Sequence, residues 1–177
     1  MERQETPLKD DYRDFLLMLN KHGVEYLTVG AYAVMYHGNF VRTSKDMDFW
    51  IRQTEENAEK LSKAVQEYSG QHIEPQTLLI PKQKLEIGGP DFKIELISYF
   101  EKTDFDEAWK DRVQGMFWGV PVIFVPKDVL IEMKKLAGRL QDLADLERLD
   151  ELSKLKEESE RKQQEEKKKQ RGNELSL

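Results

Sequence analysis

The chain has 177 residues, of which 38% are hydrophobic and 35% charged, a composition that suits one globular domain and an additional segment. Its 28 Lys and Arg residues against 34 Asp and Glu residues give a net charge of −6, which disfavours a purely electrostatic nucleic-acid-binding protein. The absence of cysteine excludes disulfides, thiolate zinc sites, iron–sulfur clusters and thiol nucleophiles.

The sequence carries no sign of a targeting or membrane-spanning segment. Residues 1–11 contain charges of both signs and lack the apolar stretch that is typical of a signal peptide. No later segment approaches the roughly eighteen apolar, uncharged residues that a membrane-spanning helix needs. We therefore expect a soluble cytoplasmic protein with no membrane partner.

The first half of the chain is predicted to alternate helices and strands. Apolar residues at helical spacing end at Gly23, and Gly30 follows a short apolar run, so each glycine marks the end of an element. Thr54 is an N-cap residue type placed directly before a helical pattern. The predicted elements are a helix over Asp10–His22, a strand over Val24–Val29, a short helix over Ala31–Tyr36, a strand over Asp46–Ile51 and a helix over Thr54–Tyr68.

The second half is richer in predicted strands. The turn sequence Gly-Gly-Pro-Asp at residues 88–91 and the single Gly119 each separate two apolar runs, as in hairpins, and Pro126 suits a helix start. The predicted strands are Leu78–Ile80, Lys84–Ile87, Phe92–Ile97, Val113–Trp118 and Val120–Val125, followed by helices over Lys127–Leu136 and from Arg139 to about Lys156. This order predicts an α/β (α+β) fold, a mixed sheet flanked by helices with a C-terminal helical extension.

Residues 151–177 differ from the rest of the chain in composition. They contain eight Lys or Arg and seven Asp or Glu residues, and no apolar residue lies between Leu155 and Leu175. Opposite charges recur four residues apart, which predicts a helix that frays into disorder. A solvated end is favoured over an arm that folds on a partner or on RNA, because charge runs are usually solvated. The predicted division is a domain over residues 1–150 and a charged helical or disordered tail over residues 151–177.

Two aspartates lie two residues apart in the predicted strand Asp46–Ile51. Because side chains alternate between the faces of a strand, Asp46 and Asp48 point to one face while the intervening residues enter the core. Their like charges repel, and a cation between them relieves this repulsion. Mg²⁺ suits that position because it binds one or two carboxylates together with phosphate oxygens and water. Trp50 shares this face, where burial is expected rather than stacking on a base.

Two further residues complete a candidate site. Glu95 lies on the polar face of the predicted strand Phe92–Ile97, and the three acids converge if this strand neighbours the aspartate strand. Taken alone, a solvent-facing Glu95 is the commoner outcome. Gly30 lies between a strand and a helix, where the backbone approaches a phosphate closely and the free N–H groups of the helix bind it. Without the acids, a simple tight turn explains Gly30 equally well.

Two segments carry a combination of motifs that is more specific than any one of them. The first, residues 29–51, contains the glycine turn, a short helix that ends in His-Gly, Arg42 and the Asp-x-Asp strand. The second, residues 126–146, contains a helix with a lysine, then Ala-Gly-Arg and Gln-Asp-Leu-Ala-Asp. Together they resemble the DNA polymerase β-like nucleotidyltransferase superfamily, especially its small bacterial branch of abortive-infection (AbiEii-type) toxins. The resemblance covers Asp10 to about Leu149.

The resemblance implies roles for nine residues in binding an NTP, such as ATP, together with metal ions. The catalytic carboxylates, which would also be the ligands of two Mg²⁺ ions with Mn²⁺ as an alternative, are Asp46, Asp48 and Glu95. The implied nucleotide-binding residues are Gly30, Ala31, Arg42, Lys134, Arg139 and Asp142. Gly30 and the start of the next helix would hold the β- and γ-phosphates. Lys134 and Arg139 would neutralise the triphosphate while Asp142 orients one of them, and Arg42 is expected equally to contact a phosphate or to pair with Asp46.

The implied activity is transfer of an NMP from an NTP to a hydroxyl acceptor, an RNA end such as that of tRNA or a protein side chain, within a toxin–antitoxin or phage-defence system. Three residues depart from the family pattern, since Ala31 replaces Gly or Ser, Glu95 replaces Asp and Gln141 replaces Lys. Of these, Ala31 and Glu95 favour an alternative, a catalytically degenerate protein that acts as an antitoxin or partner-binding module. The intact pair of Asp46 and Asp48, together with Lys134, favours the enzyme. Transfer to an antibiotic needs a second substrate-binding domain, so the short chain disfavours it unless a dimer supplies the missing wall.

Overall fold

Helices and strands alternate along the chain in the computed structural model, which describes residues 7–174 and the side-chain surroundings of residues 10–151 and 153–168. The elements are α1 (Pro7–Lys21), β1 (Tyr26–Val29), α2 (Gly30–Gly38), β2 (Asp46–Ile51), α3 (Glu55–Ser69), α4 (Pro75–Leu78), β3 (Lys84–Gly88), β4 (Lys93–Ile97), α5 (Phe105–Lys110), β5 (Val113–Phe117), β6 (Val120–Phe124), α6 (Lys127–Ala137) and α7 (Leu140–Glu174). None of the helices in this range has the length and apolar composition needed to cross a membrane.

A six-stranded mixed sheet forms the centre of the molecule, with the strands in the order β3-β4-β2-β1-β6-β5. Strand β2 pairs in parallel with β4 and antiparallel with β1, while β1 pairs in parallel with β6. The outer pairs β3/β4 and β5/β6 are the two predicted hairpins. This arrangement confirms the predicted mixed α/β class and places β2 between the two halves of the sheet.

One face of the sheet is covered by α1 and α3. Phe15 of α1 contacts Phe49 of β2 and Tyr68 of α3, with ring centroids 5.6 and 5.1 Å apart. Tyr26 of β1 joins the same cluster, 5.3 Å from Phe49. Because side chains alternate along β2, burying Phe49 on this face turns Asp48 to the opposite face of the sheet.

Local signals in the sequence fix several element ends as predicted. The Thr54 hydroxyl accepts a hydrogen bond from the Asn57 N–H at 3.2 Å, which confirms Thr54 as the N-cap of α3. Strands β5 and β6 are joined by Trp118 and Gly119, both with positive φ (50° and 75°), as a tight two-residue hairpin turn requires. Gly138, with φ of 61°, ends α6 and allows the chain to turn into α7.

Two predictions about residues 74–112 need correction. The strand predicted at Leu78–Ile80 is wrong, because Pro75 starts the short helix α4 and residues 79 and 80 then turn back through N–H bonds to the carbonyls of residues 76 and 77. Three apolar residues are too few for periodicity to separate a strand from a helix end. Helix α5 has no predicted counterpart, although Asp104 caps it by accepting a bond from the Glu107 N–H at 2.9 Å.

Helix α7 is longer than the sequence predicted. The chain stays helical to Glu174, where fraying was expected after Leu155. Ion pairs four residues apart support this part of the helix, including Lys154–Asp150 at 2.7 Å and Lys162–Glu158 at 3.0 Å. Residue 150 falls inside α7, so the division into residues 1–150 and 151–177 stays a prediction.

Candidate active site

Strands β2 and β4 bring the predicted acids together. They are parallel neighbours, and Asp48 and Glu95 are direct partners in their register, two residues on from the pair of Asp46 and Lys93. Partners in register project from the same face of a sheet, so Glu95 lies beside Asp48 on the face opposite α1 and α3. The sequence analysis expected the three acids to converge only if these two strands were neighbours. Strands β2 and β4 are neighbours in the sheet.

The environment of these acids changes their proton affinity. Burial raises the pKa of Asp48 to about 8, and a hydrogen bond with Glu95 and the negative charges of Glu95 and Asp46 add to this effect. Burial also acts to raise the pKa of Glu95, but hydrogen bonds from Asp48 and Lys84 outweigh it and leave that pKa below its usual value. The pKa values of the two carboxyl groups are thus shifted in opposite directions, as expected for two acids that interact closely.

Lys84 of β3 adds a positive charge that the sequence analysis did not include in the site. Its Nζ donates to Glu95 Oε1 at 2.7 Å and lies 3.2 Å from Glu86 Oε1. Glu86 is the register partner of Glu95 across the β3/β4 hairpin. The alternation of Lys84 and Glu86 along β3 was readable from the sequence, but the register that places Lys84 beside Glu95 was not.

Gly30 and Asp48 are in close contact at the start of α2. Gly30 has a φ of 63°, and a Cβ atom at this position would lie 2.0 Å from Asp48 Oδ2. The glycine therefore accommodates the carboxylate of Asp48, a role that the sequence analysis did not anticipate. The residue before α2, Val29, makes no side-chain capping bond, so no side chain of that residue competes for the first N–H groups of the helix.

A second set of charges joins α6 to α7. Lys134 is only 6% exposed, and its Nζ donates to Asp142 at 2.8 Å and to Asp145 at 2.9 Å. Arg139 Nε also donates to Asp142, at 2.7 Å, although the Arg139 side chain is 77% exposed. Arg42 donates to Asp145, also at 2.7 Å. Three cations thus share two buried aspartates, so the predicted association of Asp142 with Lys134 and Arg139 is present.

This network shows the partners of two predicted residues, Asp142 and Arg42, and includes a third residue, Asp145, that was not predicted. Burial acts to raise the pKa of Asp142, but hydrogen bonds from Arg139 and Lys134 outweigh it and lower the pKa to about 2. Arg42 pairs with Asp145, whereas the sequence analysis considered a phosphate or Asp46. Asp145 was not among the predicted site residues. Its spacing of three from Asp142 was the available signal, because residues three apart on a helix share a face.

One cavity, of about 560 Å³, brings all of these groups together. Its lining includes every predicted site residue, namely Gly30, Ala31, Arg42, Asp46, Asp48, Glu95, Lys134, Arg139 and Asp142. Lys84 and Phe100 also line it. Trp50 is 2% exposed and packs edge-on against Phe100 and Phe105, as the prediction of a buried tryptophan requires. All nine predicted residues thus line the same cavity, while their catalytic and binding roles stay predictions.

The oxygen ligands of the cavity suit Mg²⁺ or Mn²⁺, which prefer carboxylates. Within the described part of the chain, no group of three Asp, Glu or His side chains is arranged as a complete metal site. Mg²⁺ does not require one, because it usually takes one or two carboxylates and completes its shell with substrate phosphates and water. Asp46 and Asp48, which both line the cavity, supply such a pair.

Comparison with known proteins identifies the fold. No protein-family model and no curated protein sequence matches the chain. Among solved structures, ANT(2'')-Ia in complex with adenylyl-2''-tobramycin is similar with a TM-score of 0.53 and 12% identity, over 81% of this chain and 88% of that chain. An antigenic nucleotidyltransferase-like protein from Paracoccidioides brasiliensis is similar with a TM-score of 0.50 and 14% identity, over 81% and 76% of the two chains. The chain has a nucleotidyltransferase fold.

Proposed function

We propose that this chain is a metal-dependent nucleotidyltransferase that moves an NMP from an NTP such as ATP to a hydroxyl acceptor. The observation that carries the proposal is the position of Asp48, which lies between Gly30 at the start of α2 and Glu95 on the neighbouring parallel strand. The same cavity also contains the exposed guanidinium of Arg139. Its volume of about 560 Å³ is in the usual range for small-molecule sites.

The proposed site divides the work between two walls of the cavity. On the sheet side, Asp46 and Asp48 would hold Mg²⁺ or Mn²⁺ beside Glu95, and the metal ion would offset the charge that develops on the phosphates and lower the pKa of the acceptor hydroxyl. On the helical side, the N–H groups at the start of α2 would attract the triphosphate, and Arg139 also lines the cavity. Lys134 is held by Asp142 and Asp145, so it acts through the shape and charge of this wall.

The proposed reaction is an in-line displacement at the α-phosphorus of the NTP. The acceptor oxygen forms a bond to the α-phosphorus while the bond to the bridging oxygen breaks, and pyrophosphate leaves with that electron pair. Glu95, which the Lys84 ammonium keeps ionised, takes the proton of the acceptor hydroxyl. This route needs no covalent enzyme intermediate, which agrees with a chain that contains no cysteine.

The three departures from the family pattern leave this arrangement intact. Ala31 still lines the cavity, where its backbone N–H would be available to a phosphate although it has no hydroxyl. Glu95 is in register with Asp48 despite its longer side chain. Gln141 donates to Asp145 at 3.1 Å, so it takes part in the network that orders α7. The alternative is a degenerate partner-binding module or antitoxin. It is supported by the presence of Ala31 and Glu95 in place of the residues that the family usually has.

For the acceptor, we propose an RNA end, such as that of tRNA, or a protein hydroxyl within a toxin–antitoxin or phage-defence system. This proposal rests on the resemblance of the motifs to the abortive-infection branch. A hydroxyl of a small molecule is a second candidate, favoured by the fold shared with ANT(2'')-Ia, whose complex contains adenylyl-2''-tobramycin. The similarity covers 88% of that chain, which supports keeping a small-molecule acceptor as a candidate beside the prediction that a short chain disfavours it.

Thermal unfolding with each of the four NTPs, with and without Mg²⁺, tests the proposal without knowledge of the acceptor. Ligand at a hundred times its dissociation constant stabilises a protein by about 2.7 kcal/mol. We expect a Mg²⁺-dependent rise in Tm for the wild type that is lost in Asp48→Asn. The matched control is Asp91→Asn, which changes an exposed aspartate in the β3/β4 turn and should keep the full rise. No rise with any NTP would contradict the enzyme and support the partner-binding module.

A further inference from the structure

The inference concerns the number of metal ions that the acidic site accepts, and it rests on the proposed function. We infer that the Lys84 ammonium acts as a built-in cation at Glu95, so that the site binds one divalent cation where the resemblance implies two. Lys84 approaches from β3, the edge strand next to β4, and it lines the cavity. It belongs to neither of the two segments that carry the resemblance.

The position of Lys84 is held from two sides. Its Nζ lies 2.7 Å from Glu95 Oε1 and 3.2 Å from Glu86 Oε1, so two carboxylates on paired strands bracket the ammonium. Glu86 in turn lies 3.6 Å from Nζ of Lys93. The side chain of Lys84 is 48% exposed, but that of Glu95 is only 15% exposed, so the contact lies on the cavity side. A lysine held in this way is part of the site.

The partners of Glu95 leave it poorly placed to bind a metal ion. Its Oε1 accepts a hydrogen bond from the Lys84 ammonium at 2.7 Å. A metal ion bound through Glu95 would lie beside the Lys84 ammonium, and the repulsion between the two adjacent cations opposes its binding. Asp46 and Asp48 carry no such lysine contact among the described residues. They therefore remain as the ligand pair for one ion.

The net charge of the acidic cluster also favours one bound divalent cation. Asp46, Asp48 and Glu95 carry three negative charges when ionised, and Lys84 offsets one of them. One divalent cation balances the remaining two charges, whereas a second would leave the cluster with excess positive charge before any substrate binds.

Counting bound Mn²⁺ by electron paramagnetic resonance tests this inference with the metal alone as the probe. We expect one Mn²⁺ per chain in the wild type, with the spectrum of an isolated ion. In Lys84→Met, which removes the charge and keeps the aliphatic stem, we expect a second Mn²⁺ and the spin coupling of an adjacent pair. The matched control is Lys93→Met, which removes a lysine of the same sheet that contacts Glu86, and it should bind one ion.

The outcomes separate this inference from the proposed function. Two ions in the wild type, or one ion in both Lys84→Met and a second variant, Lys84→Gln, would overturn the inference and leave the nucleotidyltransferase proposal in place. A wild type that binds neither Mn²⁺ nor, in the thermal test, any NTP would overturn the proposed function. Circular dichroism of each variant shows whether the sheet is intact, and Lys84→Gln provides the measurement if Lys84→Met does not fold.

Discussion

Gly30 satisfies two conditions at a single residue. Its φ of 63° is in the left-handed region, which a residue with a Cβ adopts at a cost, and its missing side chain leaves room for the Asp48 carboxylate. The second condition is the stronger of the two, because a Cβ would lie 2.0 Å from Asp48 Oδ2. A glycine here is thus required by the candidate site as well as by the turn into α2.

We expect Gly30→Ala to destabilise the protein by about 2 to 3 kcal/mol, since it adds backbone strain of about 1 to 2 kcal/mol and forces the Asp48 carboxylate to move. Urea unfolding gives the free energy. Gly89→Ala is the control, because Gly89 has no neighbouring atom within 4 Å of the added Cβ and no positive φ. That variant should change stability by less than about 0.5 kcal/mol. Equal effects of the two substitutions would contradict this account of Gly30.

At the scale of elements, the joint between α6 and α7 depends on buried charge. The inward positions of α7 near its start are Asp142 and Asp145, and both accept hydrogen bonds from Lys134 of α6. Arg42, from the segment between α2 and β2, adds a third element to the joint. Since a buried charge without a partner is costly, α7 is fixed to α6 by the pairing of these groups.

We expect Lys134→Met to destabilise the protein by about 3 kcal/mol, the lower end of the range for breaking a buried ion pair. The loss of stability is expected at the lower end of this range because both aspartates keep a second partner. Asp142 keeps its bond from Arg139, and Asp145 keeps its bond from Arg42. The control is Lys135→Met, since the neighbouring Lys135 is exposed and pairs with Glu132 on the helix surface. Chemical unfolding of Lys135→Met should stay within about 0.5 kcal/mol of the wild type. A loss of the same size in both variants would disprove a special role for Lys134.

The leucines of α7 show why it is harder to predict which face of a helix is buried than to predict the helix itself. Leu140, Leu143, Leu146 and Leu149 recur every three residues, and each step of three turns the helix by about 300°, so they sweep around its axis. Leu140 is 88% exposed and Leu143 is 52% exposed, while Leu149 is buried. The inner face instead follows the spacing of three and four residues that joins Asp142, Asp145 and Leu149.

At the scale of the whole molecule, α7 extends beyond the body of the fold. Its last buried side chain in the described part of the chain is Leu149, and Ser153 accepts a bond from Lys127 at 2.6 Å. Every described side chain over residues 154–168 is exposed. The packing of the body is therefore complete before the charged part of α7 begins.

We expect a chain that ends at Lys156 to keep its thermal stability within about 2 °C, because the residues removed bury no described side chain. A chain that ends at Gln141 is the contrasting variant. It lacks Asp142, Asp145 and Leu149 and should lose its cooperative unfolding transition, since Lys134 and Arg42 then have no partners there. Thermal unfolding followed by circular dichroism measures both. A large drop in Tm for the longer variant would show that the charged helix stabilises the body.

The sequence by itself determined the features that depend on neighbouring residues. The alternation along β2 turned Asp46 and Asp48 to one face, Thr54 capped α3, and Gly119 helped to form the hairpin turn, because backbone geometry relates residues a few positions apart. The strand predicted at Leu78–Ile80 failed where the apolar run was too short to show a period.

The tertiary structure alone decided which distant residues meet. Lys84 reaches Glu95 through the register of β3 with β4, and Arg42 reaches Asp145 across 103 residues of chain. Such contacts depend on strand order and on how helices pack on the sheet, and no local pattern encodes either. The sequence therefore identified Asp46, Asp48 and Glu95, whereas the contacts of Lys84 with Glu95 and of Arg42 with Asp145 were decided by the fold.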